Sequence, residues 1–126
     1  MFKELAFHTN APEEAVDITD RVQEAIAEAG IDEGFVFIYV PHSTAAVSIH
    51  ARLERGEAPR LERMLDTAYP DEDAPHTTKA AFVAPTEVGI VKGGKMLLGE
   101  DQRIYFYEFR GPAPRKVYLY IGSCSG

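Results

Sequence analysis

Residues Phe35 to Val40 read Phe-Val-Phe-Ile-Tyr-Val, six consecutive β-branched or aromatic side chains. Such side chains suit a pleated surface and crowd a helix, so the segment predicts a buried strand that fixes the position of the residues after it. Those residues are Pro41-His42-Ser43-Thr44, an imidazole and two hydroxyls delivered into a bend. Two readings stand side by side: a polar site for chemistry, or a Pro-His turn whose hydroxyls bond nearby backbone amides. Beyond the bend, Ala45 to His50 alternates, with Val47 and Ile49 facing one way and Ala46, Ser48 and His50 the other. If residues 42 to 50 formed one straight strand, the His42 and His50 imidazoles would lie roughly 26 Å apart at about 3.3 Å per residue. Only the bend, or subunits meeting around an axis, can bring both to one ion.

The flanking segments obey the same local rules. Phe2 to Thr9 predicts a first strand, with a turn at Asn10-Ala11-Pro12. Asp17 to Asp20 has the form of a helix entry in which Thr19 caps, and Ile18, Val22, Ile26 and Ala29 recur at helical spacing up to the terminator Gly30. Pro59 to Ala68 predicts a second helix with Leu61, Met64, Leu65 and Ala68 inward, followed by an acidic loop over residues 69–76. Lys79 to Val83 is compatible with a short strand or a helical turn. Glu87 to Val91 and Lys95 to Leu98 flank Gly93-Gly94, a hairpin signal. Arg103 to Phe109 and Lys116 to Gly122 predict two further strands, separated by a segment too rich in proline to continue pairing. Strands and helices do not alternate strictly, so the expected class is α+β: mixed or antiparallel sheets covered by two helices, in a single domain over residues 1–126.

Composition narrows the function classes. With 45% hydrophobic and 26% charged residues, 126 residues suffice for a core that needs neither disulfide nor structural metal. A net charge of −7 argues against nucleic acid as a partner, because duplex binding depends on Lys and Arg displacing counterions. Arg110, Arg115 and Lys116 nonetheless form a local basic group. The lone Cys124 has no disulfide partner, no signal peptide is visible, and no apolar run reaches the roughly 20 residues that span a bilayer, so the expected location is the cytoplasm, with no membrane partner. Only Asn10, Gln23 and Gln102 carry thermolabile amides, a composition that points to a heat-adapted, thermostable protein.

Four histidines are available for chemistry. His42, His50 and His76 fall at element ends or on polar faces, whereas His8 lies within the first strand. Histidine suits proton transfer near neutral pH as well as metal ligation. No His-Glu-x-x-His motif or cysteine pair is present, and neither is a Walker or Rossmann glycine loop. Ser43 and Thr44, or free amides in the bend, offer contacts to a phosphate. Glu108, inside Ile-Tyr-Phe-Tyr-Glu-Phe, is either an acid/base group or ligand, or a buried partner of Arg115.

Taken in order, several segments resemble the YjbQ-like family, called secondary thiamine-phosphate synthases. They are Pro41 to Ile49, His76 to Ala84, Gly94 to Gly99, Gln102 to Tyr105, Glu108-Phe109-x-Gly111-Pro112, and Arg115-Lys116-Val117. The resemblance implies a homotrimer of α+β subunits whose polar site lies near subunit contacts. It also implies a weak transferase activity that joins a pyrimidine diphosphate to a thiazole phosphate, with loss of pyrophosphate. Carried over residue by residue, it implies His42 and Glu108 as catalytic groups and Ser43, Thr44 and Gln102 as contacts to a small phosphorylated molecule. Apart from the resemblance, the histidines themselves offer ligands for a divalent metal, zinc or magnesium, at His42, His50 and His76. The chain departs from the family pattern at His50-Ala51, where the family has Asn-Glu, and at Asp101-Gln102, where it has Trp-Gln. The alternative reading is a metal- or anion-binding homotrimer without efficient catalysis.

Overall fold

In the computed structural model, residues 1–54 and 76–124 are described. Among them are eight strands and two helices, in the order β1 (Phe2–His8), β2 (Glu14–Asp17), α1 (Thr19–Ala29), β3 (Glu33–Tyr39), β4 (Ala45–Ala51), α2 (His76–Val83), β5 (Thr86–Lys92), β6 (Lys95–Met96), β7 (Gln102–Glu108) and β8 (Pro114–Ser123). The strands form a five-stranded sheet ordered β1-β8-β3-β5-β6 and a three-stranded sheet ordered β2-β7-β4. Every pairing is antiparallel. The α+β class is therefore observed, in its antiparallel form. The helix expected over Pro59 to Ala68 lies outside the described residues, as does most of the acidic loop.

The two sheets face each other across one core, into which α1 lays Val22, Ala25 and Ile26. Val36 and Ile38 of β3, Val117, Leu119 and Ile121 of β8, and Val47, Ile104 and Phe106 of the smaller sheet complete it. The smaller sheet is buried on its other face too, where Ala46, Tyr105, Tyr107 and Phe109 pack with Ala80 of α2. Burial on both faces explains why residues 104–107 read as a continuous apolar and aromatic run rather than an alternation.

Local signals are met with three adjustments. Gly30 ends α1 in the left-handed region (φ 66°), and Gly93 and Gly94 turn the β5–β6 hairpin at φ 66° and 78°. Thr19 does not cap α1: the Asp17 carboxylate accepts the Thr19 N–H at 3.0 Å, while the Thr19 hydroxyl accepts the Ile104 N–H at 2.8 Å and ties the helix to β7. Residues 79–83 are helical, the last part of α2. The strand β2 has no sequence signal of its own, since four residues are too few to display a period and its form depends on pairing with β7.

Candidate functional site

The chain passes from the larger sheet to the smaller one at residues 40–44. Backbone bonds hold both ends of this bend: the Val40 N–H donates to the Pro85 carbonyl at 2.8 Å, and the Phe109 N–H donates to the Thr44 carbonyl at 3.0 Å. Between the bend and α2 lies a cleft of about 550 Å³, lined by Tyr39, Pro41, His42 and Ser43 on one side and Thr77, Ala80 and Ala81 on the other.

Behind the bend sits a buried ion pair. Glu108, 1% exposed, receives the Arg115 Nε–H on Oε1 at 2.8 Å and a second Arg115 N–H on Oε2. The Thr9 hydroxyl donates to the same carboxylate at 2.7 Å, and the Arg110 amide donates to it at 3.2 Å. Burial pushes the Glu108 carboxyl up, but these hydrogen bonds outweigh it and hold the group below its usual value. Arg115 also donates to the Thr44 hydroxyl at 2.8 Å, so the pair braces the bend. Of the two readings for Glu108, the buried pairing with Arg115 is the one observed. A carboxylate held by four donors is suited to anchoring a cation, since protonating it breaks bonds that only the anion accepts.

His42 is half-buried and its Nε2 accepts the Lys116 backbone N–H at 3.0 Å. Burial, then the positive charge of Arg115, holds the imidazole below its ordinary value, which makes it neutral at pH 7. Ser43 is exposed at the cleft wall. Arg110 and Lys116 are exposed nearby in the chain, the Lys116 ammonium lying 3.7 Å from the Glu4 carboxylate of β1.

The remaining expected residues fall elsewhere. Gln102 pairs in register with Ala51, six positions along β7 from Glu108, about 20 Å at 3.3 Å per residue. Its side chain accepts the Gly99 N–H at 2.7 Å and closes a local turn. His50 is near that same end, stacked on Tyr105 with ring centroids 4.7 Å apart and bonded through Nε2 to the Tyr107 hydroxyl at 2.6 Å. Burial, then Tyr105, pushes the Tyr107 hydroxyl up to about 12, so it keeps its proton; the His50 Nδ1–H donates to the Ala51 carbonyl at 2.8 Å, which leaves Nε2 to accept the Tyr107 O–H. His76 is exposed at the first position of α2. Within one chain His42 and His50 thus sit at opposite ends of β4, and among the described residues no group of three or more His, Cys, Asp or Glu side chains gathers to hold a metal ion.

A model of the family described as UPF0047 protein YjbQ-like matches residues 3–123. The chain belongs to this family. It is 34% identical to the UPF0047 protein YugU of Bacillus subtilis, over 94% of this chain and 97% of YugU. A Clostridium acetobutylicum protein solved as an uncharacterized conserved member of the YjbQ/UPF0047 family superposes with a TM-score of 0.82 at 31% identity, covering 95% of this chain and 99% of that one. A Sulfolobus solfataricus protein described as YbjQ-like and of unknown function superposes with a TM-score of 0.81 at 29% identity, over 96% and 95% of the two chains.

Within this YjbQ/UPF0047 fold, sequence reasoning missed Thr9 and the bracing role of Arg115. Thr9 is 99 residues from Glu108, and no local pattern links them. Gly111 offered a clue, because a Cβ there would lie 2.3 Å from the Ala11 carbonyl oxygen and 2.8 Å from the Glu108 Cγ. A Gly111→Ala variant is therefore expected to lose about 1–3 kcal/mol of stability through overpacking, measured by urea unfolding.

Proposed function

We propose that the cleft beside His42 binds a small phosphorylated molecule. The observation that carries this reading is the placement of a neutral imidazole and the Ser43 hydroxyl on the wall of a cleft large enough for a metabolite. The buried Glu108–Arg115 pair supports it by fixing the bend, so that donors are oriented before the ligand arrives. In its finer form the proposal is the transfer implied by the resemblance. A thiazole nitrogen bonds to the methylene carbon of a pyrimidine diphosphate as the carbon–oxygen bond to pyrophosphate breaks. His42 then hydrogen-bonds the oxygen that gathers charge on the leaving group.

The assembly that accompanies this reading is a homotrimer, and the outer face of the larger sheet, where Phe37, Tyr39, Val88, Ile90 and Tyr120 are exposed, supports it. Isothermal titration of the protein with inorganic pyrophosphate tests the binding step. Replacing His42 by alanine is expected to weaken binding about tenfold to a hundredfold, the range for one hydrogen bond to a charged group. Turnover is tested by incubating the protein with both phosphorylated precursors and magnesium and measuring thiamine phosphate above the His42→Ala control. Pyrophosphate binding without product leaves the non-catalytic anion-binding reading. Stoichiometric zinc bound through His42, with no response to pyrophosphate, replaces the proposal by a metal site.

A further inference from the structure

In the larger sheet, β8 runs between β1 and β3, but β3 ends at Tyr39, opposite Tyr118. Residues 114–117 of β8 therefore have a strand partner on the β1 side only. An amide at such a ladder end needs an acceptor, and the Lys116 N–H finds it in the His42 ring, 3.0 Å away. Next to it, the Arg115 side chain holds Thr44. One dipeptide of β8 thus grips the bend at two points, His42 and Thr44.

We infer that the Lys116 amide locks His42 in the tautomer carrying its proton on Nδ1, so that the ring meets a ligand only as a hydrogen-bond donor. A backbone N–H cannot accept, which forces the lone pair of the neutral ring onto Nε2 and the proton onto Nδ1. Among the described residues Nδ1 has no partner and no buried side-chain nitrogen or oxygen lacks one, so Nδ1 reaches solvent. The lock is a specificity device. A phosphoryl oxygen accepts the Nδ1–H directly, whereas a metal cation needs a lone pair and must either displace the Lys116 amide from Nε2 or remove the proton from Nδ1. Leaving that amide unpaired disfavours the cation by about tenfold or more. The part of this inference that concerns the ligand rests on the phosphate-binding reading above; the tautomer does not.

Nitrogen-15 NMR of the full chain at neutral pH separates the two. The expected spectrum has a pyrrole-type Nδ1 and a pyridine-type Nε2 for His42, assigned by loss of those signals in a His42→Ala variant. Inorganic pyrophosphate is expected to move Nδ1 while Nε2 keeps its type, and zinc is expected to leave both unchanged. A proton on Nε2, or zinc bound at either nitrogen, overturns the inference. The Nδ1–H tautomer with no response to pyrophosphate upholds the lock and rejects the phosphate-binding reading instead.

Discussion

Replacing Arg115 by methionine is expected to cost about 3–5 kcal/mol of folding stability at pH 7, because it leaves a buried carboxylate without its counter-ion. Glu108 is nearly inaccessible and depends on Arg115 for two of its hydrogen bonds. The pH dependence identifies the cause. In the parent protein the Glu108 carboxyl is held below its usual 4.5, so its contribution is fully present above that value and is lost as pH falls through the folded-state value. Without Arg115 burial prevails, the carboxyl takes up a proton more readily, and the deficit of the variant narrows as pH falls from 7 toward 4. Converting Glu108 to glutamine in the same chain removes the orphaned charge and is expected to recover part of the loss. Urea unfolding at several pH values measures all of this. An Arg115→Met variant within about 0.5 kcal/mol of the parent at pH 7 would show that the pair is no brace at all.

A protein carrying lysine at both Val88 and Ile90 is expected to run as a single chain of 13.9 kDa, and the parent, as the proposed homotrimer, at three times that mass. Val88 and Ile90 are 53% and 65% exposed and share the outer face of the larger sheet. Phe37 is paired with both Val88 and Tyr120, and Phe35 with Ile90. A face this rich in large apolar side chains is covered in most proteins, and an interface of ordinary size buries about 800 Å² per partner. Two ammonium groups at its centre would have to be desolvated without partners, which suffices to separate subunits. Light scattering after size exclusion gives the mass, and circular dichroism checks that the variant keeps its fold. A parent protein that is already monomeric sinks the trimer.

Several elements were legible one segment at a time. Aromatic and β-branched runs, a 3.6-residue apolar spacing, the Gly-Gly turn and the Gly30 stop act over a few residues, and β3, α1, the β5–β6 hairpin, β7 and β8 lie close to where those patterns put them. The alternation after the bend is also observed: Val47 faces the main core and Ala46 the second one. The expected site was legible as residue types but not as a place. His42, Ser43, Thr44 and Glu108 meet at one end of the smaller sheet, while Gln102 and His50 are carried to the other by the register of β4 on β7.

From its sequence alone this protein is assigned its α+β class, its bend after a buried strand and its likeness to the YjbQ/UPF0047 family, all of which rest on patterns within single segments or on their order along the chain. Only the tertiary structure decided what the side chains do: that Glu108 anchors Arg115, that Thr9 joins them, and that the Lys116 amide sets the tautomer of His42. Glu108 is 99 residues from Thr9 and 7 from Arg115, and His42 is 74 from Lys116, so their meeting depends on where β3 stops and how two sheets stack. Hydrophobic period and backbone sterics are local and therefore written in the sequence, whereas a hydrogen bond needs one donor and one acceptor within about 3 Å, a condition that packing of the whole chain alone can satisfy.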